Sequence, residues 1–441
     1  MKSQSSAIVF FLYPAVAMLL GWGLRGTIGG GPVGALIPGA MVALVLCQLL
    51  NRGNSVGFIA CLGALGIGLG GHQTYGQTIG LSRFEDTYWW GSLGMAVKGA
   101  VWGIAGGAVL GLAFIRQRYT HRQILFAMTA MVAATFVGWA YIDAPRLSLF
   151  YFSDPAEPRA EIWAGLLLGA VAFLCTLSVT GEDKIPASFA FWGFLFGGLG
   201  FGLGGQLIAF GSRLEPPYNS FSWWKGMEFS FGFLLGGGLG IAAYLNRDQL
   251  AEPPDDTPEL VPKQTPFLPA LFLATMLVLT VHRLHFTVPV LFIMVIELAV
   301  LTGVVLYSNF FGWHIAVTLT VYAFGLDLIR AIERLLREGK EVYFSANISL
   351  WWLLVALLSF ATAAAVTANY RAARPSTRTM LLWITWTGTA VGLMKMYQQS
   401  QQKYDVNFYF VCGTFLVSAI LTTVFALAIP DRPDADIVET T

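Results

Sequence analysis

The sequence predicts an all-α polytopic membrane protein, and three observations carry that expectation. Of its 441 residues, 56% are hydrophobic and only 12% are charged, against about a quarter charged in soluble domains. Apolar runs of about 20 residues, the length needed to cross a bilayer as a helix, recur along the chain. A glycine-rich heptapeptide, Leu65 to Gly71, returns as Leu199 to Gly205 with six of seven residues identical, and both copies lie inside such runs.

The first run starts after Met1-Lys2-Ser3-Gln4 and extends from about Ala7 to Leu20. Gly21-Trp22-Gly23-Leu24-Arg25 is a poor cleavage site, so this run reads as an uncleaved first helix. The spans then read as 7–26, 32–50, 56–80, 90–114, 123–142, 161–180, 186–211, 223–245, 267–282, 287–307, 311–330, 348–369, 379–397 and 407–429. That makes about 14 crossings. Arg116, Arg118 and Arg122 follow the fourth span, and Arg371, Arg374 and Arg378 follow the twelfth. Placing both clusters in the cytoplasm puts both termini there as well. Arg330, Arg334, Arg337 and Lys340 then fall outside, in a segment whose apolar residues recur at helical spacing, as in an amphipathic surface helix.

The repeat organises the first half. One offset of 134 residues carries the heptapeptide onto its copy and Trp89-Trp90 onto Trp223-Trp224. With one deletion it also carries Gly99, Gly103 and Gly107 onto Gly232, Gly236 and Gly240. Residues 1–118 and 119–246 therefore read as two four-helix units. An even number of crossings makes such copies parallel, related by an axis along the membrane normal. Residues 247–266, with five prolines and acidic residues, read as a linker. Residues 267–430 form a C-terminal helical membrane domain, and 431–441 an acidic tail.

Glycines four apart line one helix face and let backbones approach closely in lipid. The Trp pairs suit interfacial anchors. The heptapeptides differ, because their glycines go round the helix. At about 1 kcal/mol each against alanine they weaken it, and a broken helix at membrane depth is where transporters place substrate sites. The first copy leads into His72, Gln73, Thr74, Tyr75 and Gln77, while the second keeps only Gln206. Polar chemistry is therefore expected at the first.

Charges inside spans are costly and mark function by default. Arg25 stands in a glycine-rich stretch suited to anion binding. Lys98 and Glu228 lie within spans and could pair across the repeat. The candidate substrate-binding set is Arg25, His72, Gln73, Gln77, Lys98, Gln206 and Glu228, lying between the two repeats. Glu297 is a mid-span acid, and His282 and His285 form one isolated pair, too weak a pattern for a metal. No cofactor or metal is expected, and no nucleotide fingerprint applies where no strand precedes the glycines. The four cysteines have no CxxC spacing. A net charge of +1 excludes a strongly basic nucleic-acid binder.

The expected function is a multi-pass transporter or channel for a small polar or anionic solute. The partners are then the bilayer, that solute and, for an oligomer, further copies of this chain. An alternative is a membrane-embedded enzyme acting on a lipid or lipid-linked substrate, with His72 as base and Arg25 holding a phosphate. A third reading is a structural subunit of a membrane complex. The setting expected is a bacterial cytoplasmic membrane.

Overall fold

The computed structural model describes residues 6–53, 55–181, 183–216, 218–250, 294, 300–372 and 375–430. Every regular element among them is helical. The long helices are α1 (Ala7–Ile28), α2 (Gly31–Leu49), α3 (Val56–Gly70), α5 (Tyr88–Phe114), α6 (His121–Asp143), α7 (Trp163–Gly181), α8 (Ile185–Gly211) and α9 (Trp223–Leu245), with the short α4 (Gly76–Leu81) between α3 and α5. After the undescribed stretch come α10 (Asn309–Arg337), α11 (Ile348–Arg371), α12 (Thr377–Ser400) and α13 (Val406–Ala428).

Ten of these helices are long and apolar enough to cross a membrane, so the chain is a multi-pass membrane protein. The expectation of about 14 crossings is not met among the described residues. Helix α3, at 15 residues, is too short to count, and α12 is too polar. The runs at 267–282 and 287–307, the linker beyond Leu250, Glu297, His282 and His285 lie largely or wholly outside the described residues. The amphipathic segment after the eleventh span is not a separate surface helix. It continues α10, with Leu328, Ile329, Ile332 and Leu335 buried and Arg334 bonded to the exposed Glu338.

Local sequence explains the ends of several elements. Thr120 and Gln123 form a reciprocal capping box at the start of α6, which satisfies two otherwise orphaned groups. Asp405 caps α13 through the Phe408 N–H at 2.9 Å. Pro32 occupies the first turn of α2, where its missing donor costs nothing. The turn before it places Gly31 at φ +77°, a left-handed backbone that glycine adopts without strain.

Packing is set by the glycine stripes, and the two stripes take different partners. On α5, Gly99 and Gly103 face the carbonyls of Gly197 and Gly193 on α8, and Gly111 faces Pro186. On α9, Gly232, Gly236 and Gly240 face Met18, Pro14 and Phe10 on α1. No Cβ fits at these positions without moving backbone. The pairs α5–α8 and α1–α9 are accordingly the most extensive helix contacts among the described residues. Helix α2 runs almost wholly buried between α1 and α3, with α12 and α10 against it.

The bundle has two distinct ends. At one, Arg52 reaches the carbonyls of Leu250 (2.6 Å) and Phe114 (3.1 Å), Arg116 reaches Leu306 (3.1 Å) and Arg118 pairs with Asp183. Gln48 binds the carbonyls of Ala426 and Ile429 there, both at 2.9 Å, so the last turn of α13 lies beside the end of α2. At the opposite end α1 turns into α2, and α3 stops against that turn, with Gly71 on Gly31 and Pro32.

Candidate functional site

The two heptapeptides fold differently. In α8 the helix runs unbroken through Leu199 to Gly205 and on to Gly211. In α3 it stops at Gly70, and residues 71–75 leave the helix before α4 resumes at Gly76. At 1.5 Å per residue α3 is about 22 Å long, short of the roughly 30 Å hydrocarbon core. A non-helical stretch at that depth needs polar partners from neighbouring protein. It finds two buried cations, one on each side.

The first is Arg25, one turn from the end of α1 and 2% exposed. Its Nη1 donates to the Tyr75 hydroxyl at 2.8 Å. The guanidinium carbon lies 5.0 Å from the ring centres of both Trp22 and Trp102, and 5.6 Å from that of Tyr75. Phe201 and Phe231, stacked at 3.8 Å, complete the aromatic wall behind the tryptophans. Arg25 Nε and the Trp22 indole nitrogen are buried without a hydrogen-bond partner, and no carboxylate among the described residues pairs with Arg25. Burying an unpaired ion costs several kcal/mol even after relaxation, and a desolvated cation–π contact returns about 2 kcal/mol. The rings offset part of the cost.

Tyr75 also stacks on Trp224 of α9, ring centres 5.9 Å apart. The Trp224 indole donates to Glu228 Oε1 at 3.0 Å, and Lys225 Nζ pairs with Glu228 Oε2 at 2.6 Å. The Glu228 carboxylate presses on Gly26, where any side chain would displace it. Trp224, expected as an interfacial anchor, thus also backs Tyr75, one of the three rings around Arg25.

The second cation is Lys98 on α5, 1% exposed. Its Nζ donates to the Thr74 carbonyl (2.6 Å) and the Thr78 hydroxyl (2.7 Å), and pairs with Glu161 Oε1 at 3.0 Å. Ser153 donates to the same Glu161 oxygen at 2.6 Å, and Gln73 Nε2 reaches the Lys98 carbonyl at 3.3 Å. The expected pairing of Lys98 with Glu228 is therefore corrected. Lys98 takes Glu161, on the irregular stretch between α6 and α7, and Glu228 takes its own neighbour Lys225. Asp143, at the end of α6, is close enough to act electrostatically on both Lys98 and Glu161, and accepts from the N–H groups of Ala164 and Gly165.

The break thus brings Arg25, Gln73 and Lys98 to adjoining residues, and the Glu228 carboxylate lies against Gly26, the residue after Arg25, close enough to act electrostatically on Tyr75. His72 is buried at the same break, its N–H on the Leu69 carbonyl at 3.2 Å. Two candidates lie elsewhere. Gln77 donates to the Glu157 carbonyl at 2.7 Å, in the irregular stretch between α6 and α7. Gln206 accepts from Tyr88 and donates to Ser92 at 2.9 Å. It lines an open apolar groove of about 690 Å³ between α5 and α8. Glu161, Thr78 and Ser153 carried no sequence signal for a site. Glu161 precedes an apolar run, where a charge looks interfacial, and Ser153 sits in a proline-bearing loop.

No group of three or more metal-ligating side chains occurs among the described residues. No protein-family model, curated protein or solved structure matches this chain.

Proposed function

We propose that this protein carries a small anion across the membrane, and that Arg25 binds it. The observation that carries this reading is a buried guanidinium with no carboxylate partner and an open Nε, placed where a helix breaks. An anion there supplies the charge that the fold leaves out. One guanidinium neutralises one negative charge, so the fitting solute is monovalent.

The surroundings support the same reading. Arg25 lies where α1 and α5 of the first proposed unit meet α8 and α9 of the second, a seam suited to a carrier. The stacked Tyr75 and Trp224 cover it from the end of the bundle where α1 turns into α2. By the positive-inside rule the arginine-rich end faces the cytoplasm, so this cover faces the opposite side.

The test is flux in proteoliposomes carrying the purified full chain, with chloride, nitrate and formate as probes. Downhill movement of at least one, lost in Arg25→Ala and reduced in Arg25→Lys, is the expected result. Lack of movement of all three by folded wild-type protein overturns the proposal, and lipid turnover in the same vesicles would point to an enzyme.

A further inference from the structure

Four carboxylates are buried among the described residues, Asp143, Glu161, Glu228 and Asp327, and the oxygens of the first three are not equally occupied. Glu228 has a donor on each oxygen, the Trp224 indole on Oε1 and Lys225 on Oε2. Asp143 has the Gly165 N–H on Oδ2 and the Ala164 N–H on Oδ1. Glu161 takes both of its donors, Lys98 and Ser153, on Oε1, and its Oε2 is buried with none. Among the described residues it is the one buried carboxylate oxygen left open.

We propose that Glu161 is the site of a proton that moves together with the anion, an inference that rests on the carrier reading above. A carboxylate oxygen without a donor has a lone pair to offer. A proton bound to Oε2 forms one O–H bond and breaks none of the hydrogen bonds present. It makes Glu161 neutral and leaves the Lys98 charge without its partner.

The effect on the anion follows from connectivity. Lys98 is fastened to the Thr74 carbonyl and Arg25 to the hydroxyl of the next residue, Tyr75. Two positive groups then adjoin the same break with one fewer negative charge beside Lys98, so an anion binds more tightly. By linkage the bound anion raises the affinity of Glu161 for its proton by the same factor. One proton and one monovalent anion travel as a neutral pair, which removes most of the cost of carrying either through a low-dielectric interior. The proton enters Oε2 from one bath and leaves to the other, so no oxidant, reductant or further reactant is required.

The charged and titratable groups facing Glu161 are Lys98 from α5 and Asp143 from the end of α6, with the hydroxyls of Thr78 and Ser153 beside them. Asp143 accepts the N–H groups of Ala164 and Gly165, one on each oxygen, so neither of its oxygens is left open as Glu161 Oε2 is.

The experiment uses proteoliposomes of the full chain with a trapped pH dye, an acid bath outside and nitrate as probe. Wild type is expected to accumulate nitrate above its outside concentration and to acidify the lumen. Glu161→Gln is expected to keep downhill nitrate movement and to lose both accumulation and acidification. Ser153→Ala withdraws a hydrogen bond that favours the charged carboxylate. It is expected to stay coupled, with half-maximal drive shifted to higher pH. Downhill movement in wild type with no proton overturns this inference and leaves the anion carrier standing, as does accumulation retained in Glu161→Gln. Where Glu161→Gln does not fold, an unmoved pH midpoint in Ser153→Ala overturns it instead. Absence of any nitrate, chloride or formate movement in wild type overturns the carrier and the proton site together.

Discussion

Arg25 and Tyr75 meet across the break in α3, the guanidinium Nη1 donating to the phenol at 2.8 Å. This is the one hydrogen bond that Arg25 makes to a described side chain. It ties the end of α1 to the residues that follow the first glycine block.

Removing the acceptor tests what this bond does. Tyr75→Phe leaves a buried donor unsatisfied, at about 1–3 kcal/mol. The variant is expected to melt below wild type in detergent without anion. Saturating nitrate is expected to raise its melting temperature by more than it raises that of wild type, because ligand that binds only the folded state stabilises it. Equal shifts in the two proteins would mean that Tyr75 does not neighbour the anion.

Removing the charge separates stability from function. Arg25→Met keeps apolar bulk among the tryptophans and withdraws an ion whose burial costs several kcal/mol. Unfolding stability is expected to be unchanged or higher, while anion flux disappears. A large loss of stability, read by thermal unfolding, would make Arg25 a structural residue.

Two glycines on the same helix pair should respond in opposite ways. A Cβ at Gly103 of α5 would run into the carbonyl of Gly193. Gly103→Ala is expected to splay α5 from α8 at a cost of about 1–3 kcal/mol. A Cβ at Gly202 of α8 meets only Ala96 at 3.4 Å, an ordinary contact. Gly202→Ala is expected to be neutral or to gain up to about 1 kcal/mol from helix propensity. Melting temperatures of the two single variants decide, and equal losses would refute the assigned register.

Trp224 of α9 stacks on Tyr75 beside the proposed anion site. Trp224→Ala removes both the stack on Tyr75 and the donor on Glu228 Oε1. Faster passive leak of nitrate through proteoliposomes is expected, with weaker retention of bound anion. Leak no faster than in wild type would show that the stack is not a barrier.

Much of this molecule was legible from residue order alone. Low charge and apolar runs of about 20 residues determined a multi-pass helical membrane protein, because a helix of that length crosses the hydrocarbon core with every backbone group bonded internally. Glycines at spacing four identified the faces where helices touch. The polar residues after Gly71, set against the apolar ones after Gly205, singled out the first block as the place of polar chemistry, and Arg25 and Lys98 were visible as buried charges.

What stayed hidden depended on which helices meet. Lys98 and Glu228 suggested each other by position in the repeat, yet each is satisfied by a different partner, because ion pairing follows distance in space and not correspondence between copies. Ser153 belongs to a stretch between spans and Glu161 to the start of one, and their inward position rests on long-range bonds from Thr74, Gln77, Thr78, Trp90 and Lys98 that residue order does not show. The stack of Trp224 on Tyr75 likewise joins residues 149 positions apart, which residue order does not reveal.

The near-identical glycine blocks show the division most clearly. Order alone determined that both are weak helix. Tertiary structure decided that the one in α8 stays helical, packed along α5 and α9, while the one in α3 ends against the turn between α1 and α2. The backbone freed there is held by Lys98 and the side chain of Tyr75 by Arg25, so the break persists where its polar groups have partners.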